Sequence, residues 1–129
     1  MAKQRKMIAV VDDDLLVAEA LRSLLTAFGF DVELYHSAEK LLLALPSSRA
    51  VALLLDVHLG DASGIDLSRR LLADGLRIPT VFLTGSKDPA LRREAIELGC
   101  IAFLEKPFAA RQLIEALATA TGSNSIFEK

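Results

Sequence analysis

Short apolar runs alternate along this chain with segments that mix apolar and polar positions. Five apolar runs predict β-strands, at Met7–Val11, Val32–Tyr35, Val51–Leu55, Thr80–Leu83 and Cys100–Leu104. The first, third and fifth runs carry few or no polar interruptions, which is typical of strands buried on both faces of a parallel sheet. The pattern therefore favours a sheet covered on both sides.

The segments between the strands have the periodicity and the end signals of helices. In the first, one apolar stripe comprises Val17, Leu21, Leu24 and Phe28, with Asp14 as the predicted N-cap and Gly29 as the stop. The next three have predicted N-caps at Ser37, Ser63 and Asp88 and stops at Pro46, Gly75 and Gly99. The fifth spans about 109–119 and turns inward Leu113, Ile114, Leu117 and Ala118.

Five strands alternating with five helices predict a doubly wound α/β domain with helices on both faces of a parallel sheet. We expect the 129 residues to form a single domain. Its core is predicted at about residues 7–120, and residues 121–129 form a polar tail.

Composition narrows the classes of function. The formal net charge is −2, so the chain lacks the basic excess expected of a protein that binds nucleic acid directly. The single cysteine, Cys100, excludes an internal disulfide and fits a reducing compartment. No apolar stretch approaches the roughly 20 residues needed to cross a bilayer. We expect a cytoplasmic protein with no membrane partner and with no output domain after Lys129.

Acidic residues follow two of the apolar strands. Asp12 and Asp13 come after the first, and Asp56 ends the third. Ligand sites of such sheets lie beyond the carboxyl ends of the strands, where Thr84 and Lys106 also fall. Carboxylates brought together there repel one another unless a cation intervenes, and Mg²⁺ prefers such oxygen ligands.

This set of residues suits phosphoryl transfer. A carboxylate such as Asp56 can act as a nucleophile and form an aspartyl phosphate. The Lys106 ammonium and the Thr84 hydroxyl can stabilise charge on the transferred group. Asp14 is better explained as a helix cap.

The constellation resembles the receiver domain of two-component response regulators over about residues 7–119. The matching segments are VVDDD at 10–14, LLDVHLGDASG at 54–64, FLTG at 82–85 and KPF at 106–108. The resemblance implies the flavodoxin-like (βα)5 fold with strand order 2-1-3-4-5.

The resemblance also implies a role for each site residue. Asp56 is the phosphoacceptor, and Mg²⁺ or Mn²⁺ is held by Asp13, Asp56, the backbone carbonyl of His58 and, partly through water, Asp12. Lys106 pairs with Asp56 or its phosphoryl group. The Lys106–Pro107 bond is expected to be cis.

Further implied roles concern switching and the lifetime of the phosphoryl group. Thr84 moves on phosphorylation, and Phe103 is the switch aromatic whose ring turns inward with it. His58 and Ser86 flank the site and tune hydrolysis. The chain departs from the family at Gly60, where proline is common, and glycine there permits a left-handed backbone.

The implied function is a signalling switch in a phosphorelay. A histidine kinase or histidine phosphotransfer protein donates the phosphoryl group, and the face made by the fourth helix, fifth strand and fifth helix then binds a protein partner or a second copy. The chain is then not an enzyme, beyond its own phosphorylation and dephosphorylation. It is either a stand-alone receiver or the excised receiver of a DNA-binding transcriptional regulator.

Other functions fit less well. An Mg²⁺-dependent phosphatase with an aspartyl nucleophile usually needs a cap over its substrate, and no insertion here is long enough. A Rossmann-like nucleotide binder needs a glycine-rich turn after the first strand, where this chain has three aspartates. A degenerate receiver lacks site residues that are all present here.

Several residues have ordinary structural interpretations. The rings of His36 and His58 are expected at the surface. Cys100 is expected to be a small buried apolar residue. Arg92 and Arg93 are interpreted as a solvated helix face.

Overall fold

The computed structural model describes residues 5–122 and shows a five-stranded parallel sheet with five helices. The sheet strands are β1 (Met7–Val11), β2 (Asp31–Tyr35), β3 (Ala52–Asp56), β4 (Thr80–Thr84) and β5 (Ala102–Glu105). The helices are α1 (Leu15–Ala27), α2 (Ala38–Ala44), α3 (Gly64–Ala73), α4 (Pro89–Glu97) and α5 (Ala110–Ala120). The spatial order is β2-β1-β3-β4-β5, so the predicted fold and strand order are confirmed.

Alternate residues of each strand enter two separate cores. On one face, Ile8 and Leu54 pack with α1 and α5. On the other, Ala9 and Leu53 pack with α2, α3 and α4. Because successive side chains of a strand point to opposite faces, strands covered on both sides need continuous apolar runs. This explains the uninterrupted pattern of β1 and β3.

The predicted helix starts at residues 14, 37, 63 and 88 are confirmed by cap geometry. Each of these four side chains accepts a hydrogen bond from a backbone N–H of the first turn. The fifth helix begins without a side-chain cap; instead the Ala109 N–H donates to the Gln112 side chain at 2.8 Å. The caps fix where each helix leaves the carboxyl edge of the sheet.

Two local predictions need correction, one helix end is followed by an extra turn, and one element was not predicted. The buried stripe of α1 is Ala18, Leu21 and Leu25, whereas Val17, Leu24 and Phe28 pack at its margin. The helix predicted to end at Pro46 does end just before it, at Ala44, and the chain continues in a 3₁₀ turn, Leu45–Ser47, that contains Pro46. The fifth strand begins at Ala102 because the Cys100 N–H is still bonded to the end of α4, at Ala95 O. An unpredicted two-residue hairpin pairs His58–Leu59 with Ala62–Ser63.

Other boundaries agree within one or two residues. The tail predicted at 121–129 lies mostly outside the described residues, of which Thr121 and Gly122 form a turn. Within residues 5–122, no helix is long and apolar enough to span a bilayer.

Candidate functional site

The parallel register brings the predicted site residues to one edge of the sheet. Val11 of β1 is opposite Leu55 of β3, so the residues that follow them, Asp12 and Asp56, are neighbours. Asp12, Asp13 and Asp56 each present a carboxylate oxygen, and these three atoms lie within 4.8 Å of one another. The predicted cluster of carboxylates is therefore present.

Asp56 is held through both of its carboxylate oxygens. The His58 backbone N–H donates to Oδ1 at 3.0 Å, and Lys106 Nζ lies 3.5 Å from Oδ2. The side chain of Asp56 is 11% exposed, against 34% for that of Lys106. One carboxylate oxygen is thus fixed by a backbone N–H, and the other lies beside a lysine that is partly open to solvent.

Asp12 is the least satisfied group of the cluster. The Asp14 N–H donates to its Oδ1 at 2.9 Å, but its buried Oδ2 has no hydrogen-bond partner. Burial, and next the charge of Asp56, raise the pKa of Asp12 from 3.8 to about 6, although the bond from Asp14 opposes the rise. An unpartnered buried carboxylate oxygen is costly unless a cation neutralises it.

The cluster fits a divalent cation that prefers oxygen ligands. Asp12 and Asp56 are buried whereas Asp13 is exposed, so the group is open to solvent on one side. Mg²⁺ keeps several waters and commonly takes one or two carboxylates, which suits an open acidic site. The orphaned Oδ2 of Asp12 is the atom that gains most from such a cation.

Thr84 and Lys106 are joined through the backbone of the sheet edge. Thr84 is fully buried, and its carbonyl accepts from the Lys106 N–H at 2.7 Å. Its Oγ1 accepts from the Ser86 N–H at 3.0 Å, which leaves its own hydroxyl proton to donate. The Ser86 hydroxyl accepts from the Asp88 N–H at 3.2 Å, so Ser86 also shapes the turn before α4.

Phe103 lies inward, at 6% exposure, with its ring 6.4 Å from that of Phe82. The guanidinium of Arg92 lies over the Phe103 ring, 5.2 Å from its centroid. Arg92 is exposed, as predicted for a solvated helix face, but it also contacts this ring. Sequence reasoning missed this contact, because it depends on how α4 packs against β5.

A glycine that the sequence reasoning did not single out lies directly behind Asp56. A Cβ on Gly64 would stand 2.2 Å from the Asp56 carbonyl oxygen, a distance no side chain tolerates. Its N–H donates to Val57 O at 2.8 Å, which ties the start of α3 to the strand that carries Asp56. The expected left-handed backbone is present at Gly60, with φ of 64°.

The remaining sequence-based expectations have mixed outcomes. His58 is exposed, and the cis Lys106–Pro107 bond is present. His36 is only partly exposed, and its Nδ1 lies 3.3 Å from the Asp12 carbonyl oxygen. Cys100 is half-buried beside the core that packs with α2, α3 and α4, and burial raises the pKa of its thiol. The roles predicted for the His58 carbonyl, Ser86 and the switch pair stay predictions.

Comparisons with known proteins agree with this arrangement. The family model of the response regulator receiver domain matches residues 8–118. The response regulator protein TmoT of Ectopseudomonas mendocina is 38% identical over 120 residues, which are 93% of this chain and 54% of the relative. The transcriptional regulatory protein FixJ of Rhizobium meliloti (strain 1021) is 36% identical over 114 residues, 88% of this chain and 56% of FixJ.

Solved structures show the same likeness. The crystal structure of FixJ-N superimposes with a TM-score of 0.86 at 35% identity and covers 93% of this chain and 96% of that one. The structure of the response regulator StyR gives 0.83 at 36% identity, with 92% of this chain and 60% of StyR covered. The chain spans about half the length of the curated relatives it matches.

This chain belongs to the receiver domain family of response regulators.

Proposed function

We propose that this receiver domain is a phosphorylation switch in which Asp56 accepts a phosphoryl group from a histidine kinase or a histidine phosphotransfer protein. The observation that carries the proposal is the setting of Asp56. One of its oxygens is fixed by a backbone N–H, the other lies beside Lys106, and two more carboxylates lie within ligand distance.

In this proposal, the residues at the site have different roles. Asp13, Asp56 and Asp12 would hold Mg²⁺ or Mn²⁺, and the His58 carbonyl would be a further ligand. The bound cation supplies positive charge that offsets the three carboxylates and the incoming phosphoryl oxygens. Lys106 stabilises the same charge from the β5 side, and the free hydroxyl proton of Thr84 donates to a phosphoryl oxygen.

The transfer is a balanced exchange of bonds. An oxygen of the Asp56 carboxylate attacks phosphorus, the phosphorus–nitrogen bond to the donor histidine breaks, and its electron pair stays on the imidazole nitrogen. In hydrolysis, water attacks phosphorus, and the bond between phosphorus and the Asp56 oxygen breaks with its electron pair staying on the carboxylate. The proton lost by the attacking water passes to solvent, and inorganic phosphate leaves. His58 and Ser86 border this route and set how readily water reaches it. The protein is then not an enzyme toward other substrates.

Phosphorylation then shifts the population between two states of the domain. Thr84 and Phe103 are the switch pair, and the face formed by α4, β5 and α5 is the surface that changes. That face binds a downstream protein or a second copy of the chain. We place this exchange in the cytoplasm, with no direct contact to nucleic acid or membrane.

The test is phosphorylation by acetyl phosphate in the presence of Mg²⁺, read as intact mass. The wild type should gain the mass of one phosphoryl group, and EDTA or Asp56→Asn should abolish the gain. Asp31→Asn is the matched control, because Asp31 is an exposed aspartate at the amino end of β2, at the opposite edge of the sheet. Full labelling of Asp56→Asn, or none of the wild type, contradicts the proposal.

A second candidate function follows from the relatives. Proteins that this chain matches over about half their length include one named a transcriptional regulatory protein. This favours control of transcription as the output of the switch. Replacing Asp56 by Asn in the producing organism should then change a defined set of transcripts, and an unchanged transcript profile contradicts it.

A further inference from the structure

The two helices beside β5 are anchored to very different degrees. Six residues of α5 are buried, whereas only Ala95 is buried in α4. Leu91 and Leu98 are only partly buried where they pack against the core on this face of the sheet. Each remaining contact of α4 with the sheet therefore contributes a larger share of what holds this helix in place.

Arg92 makes three of those contacts with one guanidinium group. It stacks over the Phe103 ring at 5.2 Å from the centroid. Its Nη2 donates to the Phe103 carbonyl at 3.4 Å and to Glu105 Oε2 at 3.3 Å. A planar guanidinium can stack on a ring and donate from its edge at once, which a lysine ammonium cannot do.

These contacts reach the residues that lead into the site. Phe103 and Glu105 belong to β5, and Lys106 follows directly. Thr84 is opposite Glu105 in the register, and its carbonyl accepts from the Lys106 N–H. Arg92 therefore connects α4 to the end of the strand from which Lys106 reaches Asp56.

We propose that Arg92 is a positioning residue that clamps the Phe103 ring inward and steadies the end of β5, so that Lys106 is held beside Asp56. The expected effect of Arg92 on phosphorylation rests on the proposed function. The expected effect of Arg92 on the position of the Phe103 ring does not depend on it. Arg92 thereby couples the position of α4 to the phosphorylation site. A partner that pulls α4 away from β5 lowers phosphorylation by breaking this clamp.

The contact differs from an ordinary surface ion pair. Exposed pairs contribute little on their own, and the Arg92 side chain is 48% exposed. The stacked ring, however, is nearly buried, and cation–π contacts strengthen as the ring is withdrawn from water. Because Arg92 contributes both an ion pair and a contact with the Phe103 ring, we expect its removal to slow phosphorylation about threefold to tenfold.

The first measurement follows the Phe103 ring in unphosphorylated protein. The chain has six phenylalanines, so protein labelled with 4-fluorophenylalanine gives six ¹⁹F signals, and Phe103→Leu assigns the one of interest. Arg92→Met keeps the apolar stem but removes the guanidinium, and should shift or broaden that signal. Arg93→Met is the matched control, because the neighbouring arginine is exposed on the same helix and should leave it unchanged.

The second measurement is the rate of phosphorylation by acetyl phosphate with Mg²⁺. Arg92→Met should be about threefold to tenfold slower than both the wild type and Arg93→Met, with Arg92→Lys in between. Glu105→Gln removes the ion pair but keeps the stacked ring, so it should leave the ¹⁹F signal in place. Thermal unfolding followed by circular dichroism verifies that each variant is folded.

The outcomes separate this inference from the proposed function. If the wild type is not phosphorylated, the proposed function fails, and the ring signal alone still decides whether Arg92 is a clamp. If the wild type is phosphorylated but Arg92→Met matches Arg93→Met in both ring signal and rate, Arg92 is not a positioning residue.

Discussion

The interior of the sheet and its carboxyl edge are built from the same strands, but they differ in how well their atoms are satisfied. Ile8, Leu53 and Leu54 are almost fully buried among apolar neighbours. A few residues further along, Asp12 is equally buried and one of its oxygens has no hydrogen-bond partner. The interior supplies the stability that permits an edge whose carboxylates are held ready for a cation.

This comparison predicts opposite effects for substitutions in the two regions. Removing atoms from the interior should destabilise the fold. Removing charge from the edge should stabilise it, provided that no metal ion is bound.

The largest loss is expected from Leu117→Ala in α5. Leu117 is fully buried, and replacing it by alanine removes apolar contacts and leaves a cavity. We expect the free energy of unfolding to fall by about 3 kcal/mol, measured by urea denaturation. The control is Leu16→Ala, since Leu16 is 84% exposed and should change it by only about 0.5 kcal/mol. Equal effects at the two positions would contradict the assigned core.

The next largest loss is expected where the interior meets the edge, from Gly64→Ala. Helix propensity alone predicts a gain of about 1 kcal/mol for this change. The added Cβ, however, would lie 2.2 Å from the Asp56 carbonyl oxygen, so the start of α3 must move. We expect a net loss of about 2 kcal/mol in urea denaturation. A more stable variant would show that α3 does not approach β3 so closely, and Gly85→Ala, with open space around it, is the control.

A gain is expected from Asp12→Asn in metal-free buffer. The pKa of Asp12 rises from 3.8 to about 6 on folding because burial disfavours its charge. The folded state therefore binds more protons between these values, and stability falls as the pH rises from about 4 to about 6. At pH 7 the variant should be more stable than the wild type by up to about 3 kcal/mol, and this difference should vanish below about pH 4.

The comparison with Asp12→Asn isolates one group from the other titrating residues, because both proteins share the rest. Urea denaturation at pH 4, 5, 6 and 7 with EDTA provides the measurement. A difference that stays constant over this range would mean that Asp12 does not titrate within it.

The smallest expected effect is stabilisation by Mg²⁺ at pH 7. Ligand that binds only the folded state at ten times its dissociation constant stabilises by about 1.4 kcal/mol. The wild type should therefore gain this amount, whereas Asp13→Asn should gain much less at the same concentration. Thermal melting at increasing Mg²⁺ concentration measures this stabilisation. NaCl at matched ionic strength is the control. Equal gains by both proteins would place the cation elsewhere.

Much of the site could be predicted because it lies at strand ends. Asp12, Asp56 and Thr84 each follow or end an apolar run, and parallel strands bring such positions to one edge. The convergence of the carboxylates needed only the order of the strands. The difference in burial and hydrogen bonding among the three carboxylates could not be predicted from the sequence, since it depends on how the chain packs around each of them.

The contacts that the helices make with the sheet could not be predicted from the sequence. Arg92 and Arg93 look alike in a helical pattern, and only the packing of α4 puts the first over Phe103. Gly64 is one of seven glycines, and only the approach of α3 to Asp56 shows why it has no side chain.

The sequence by itself therefore determined the alternation of strands and helices, the caps and the residues at the carboxyl edge. These features depend on local periodicity and on hydrogen bonds between near neighbours along the chain. The tertiary structure alone decided that Asp12 keeps an orphaned oxygen, that Arg92 covers Phe103 and that α3 touches the back of Asp56. Such features depend on distances between segments far apart in the chain, and those distances are set only when both faces of the sheet are packed.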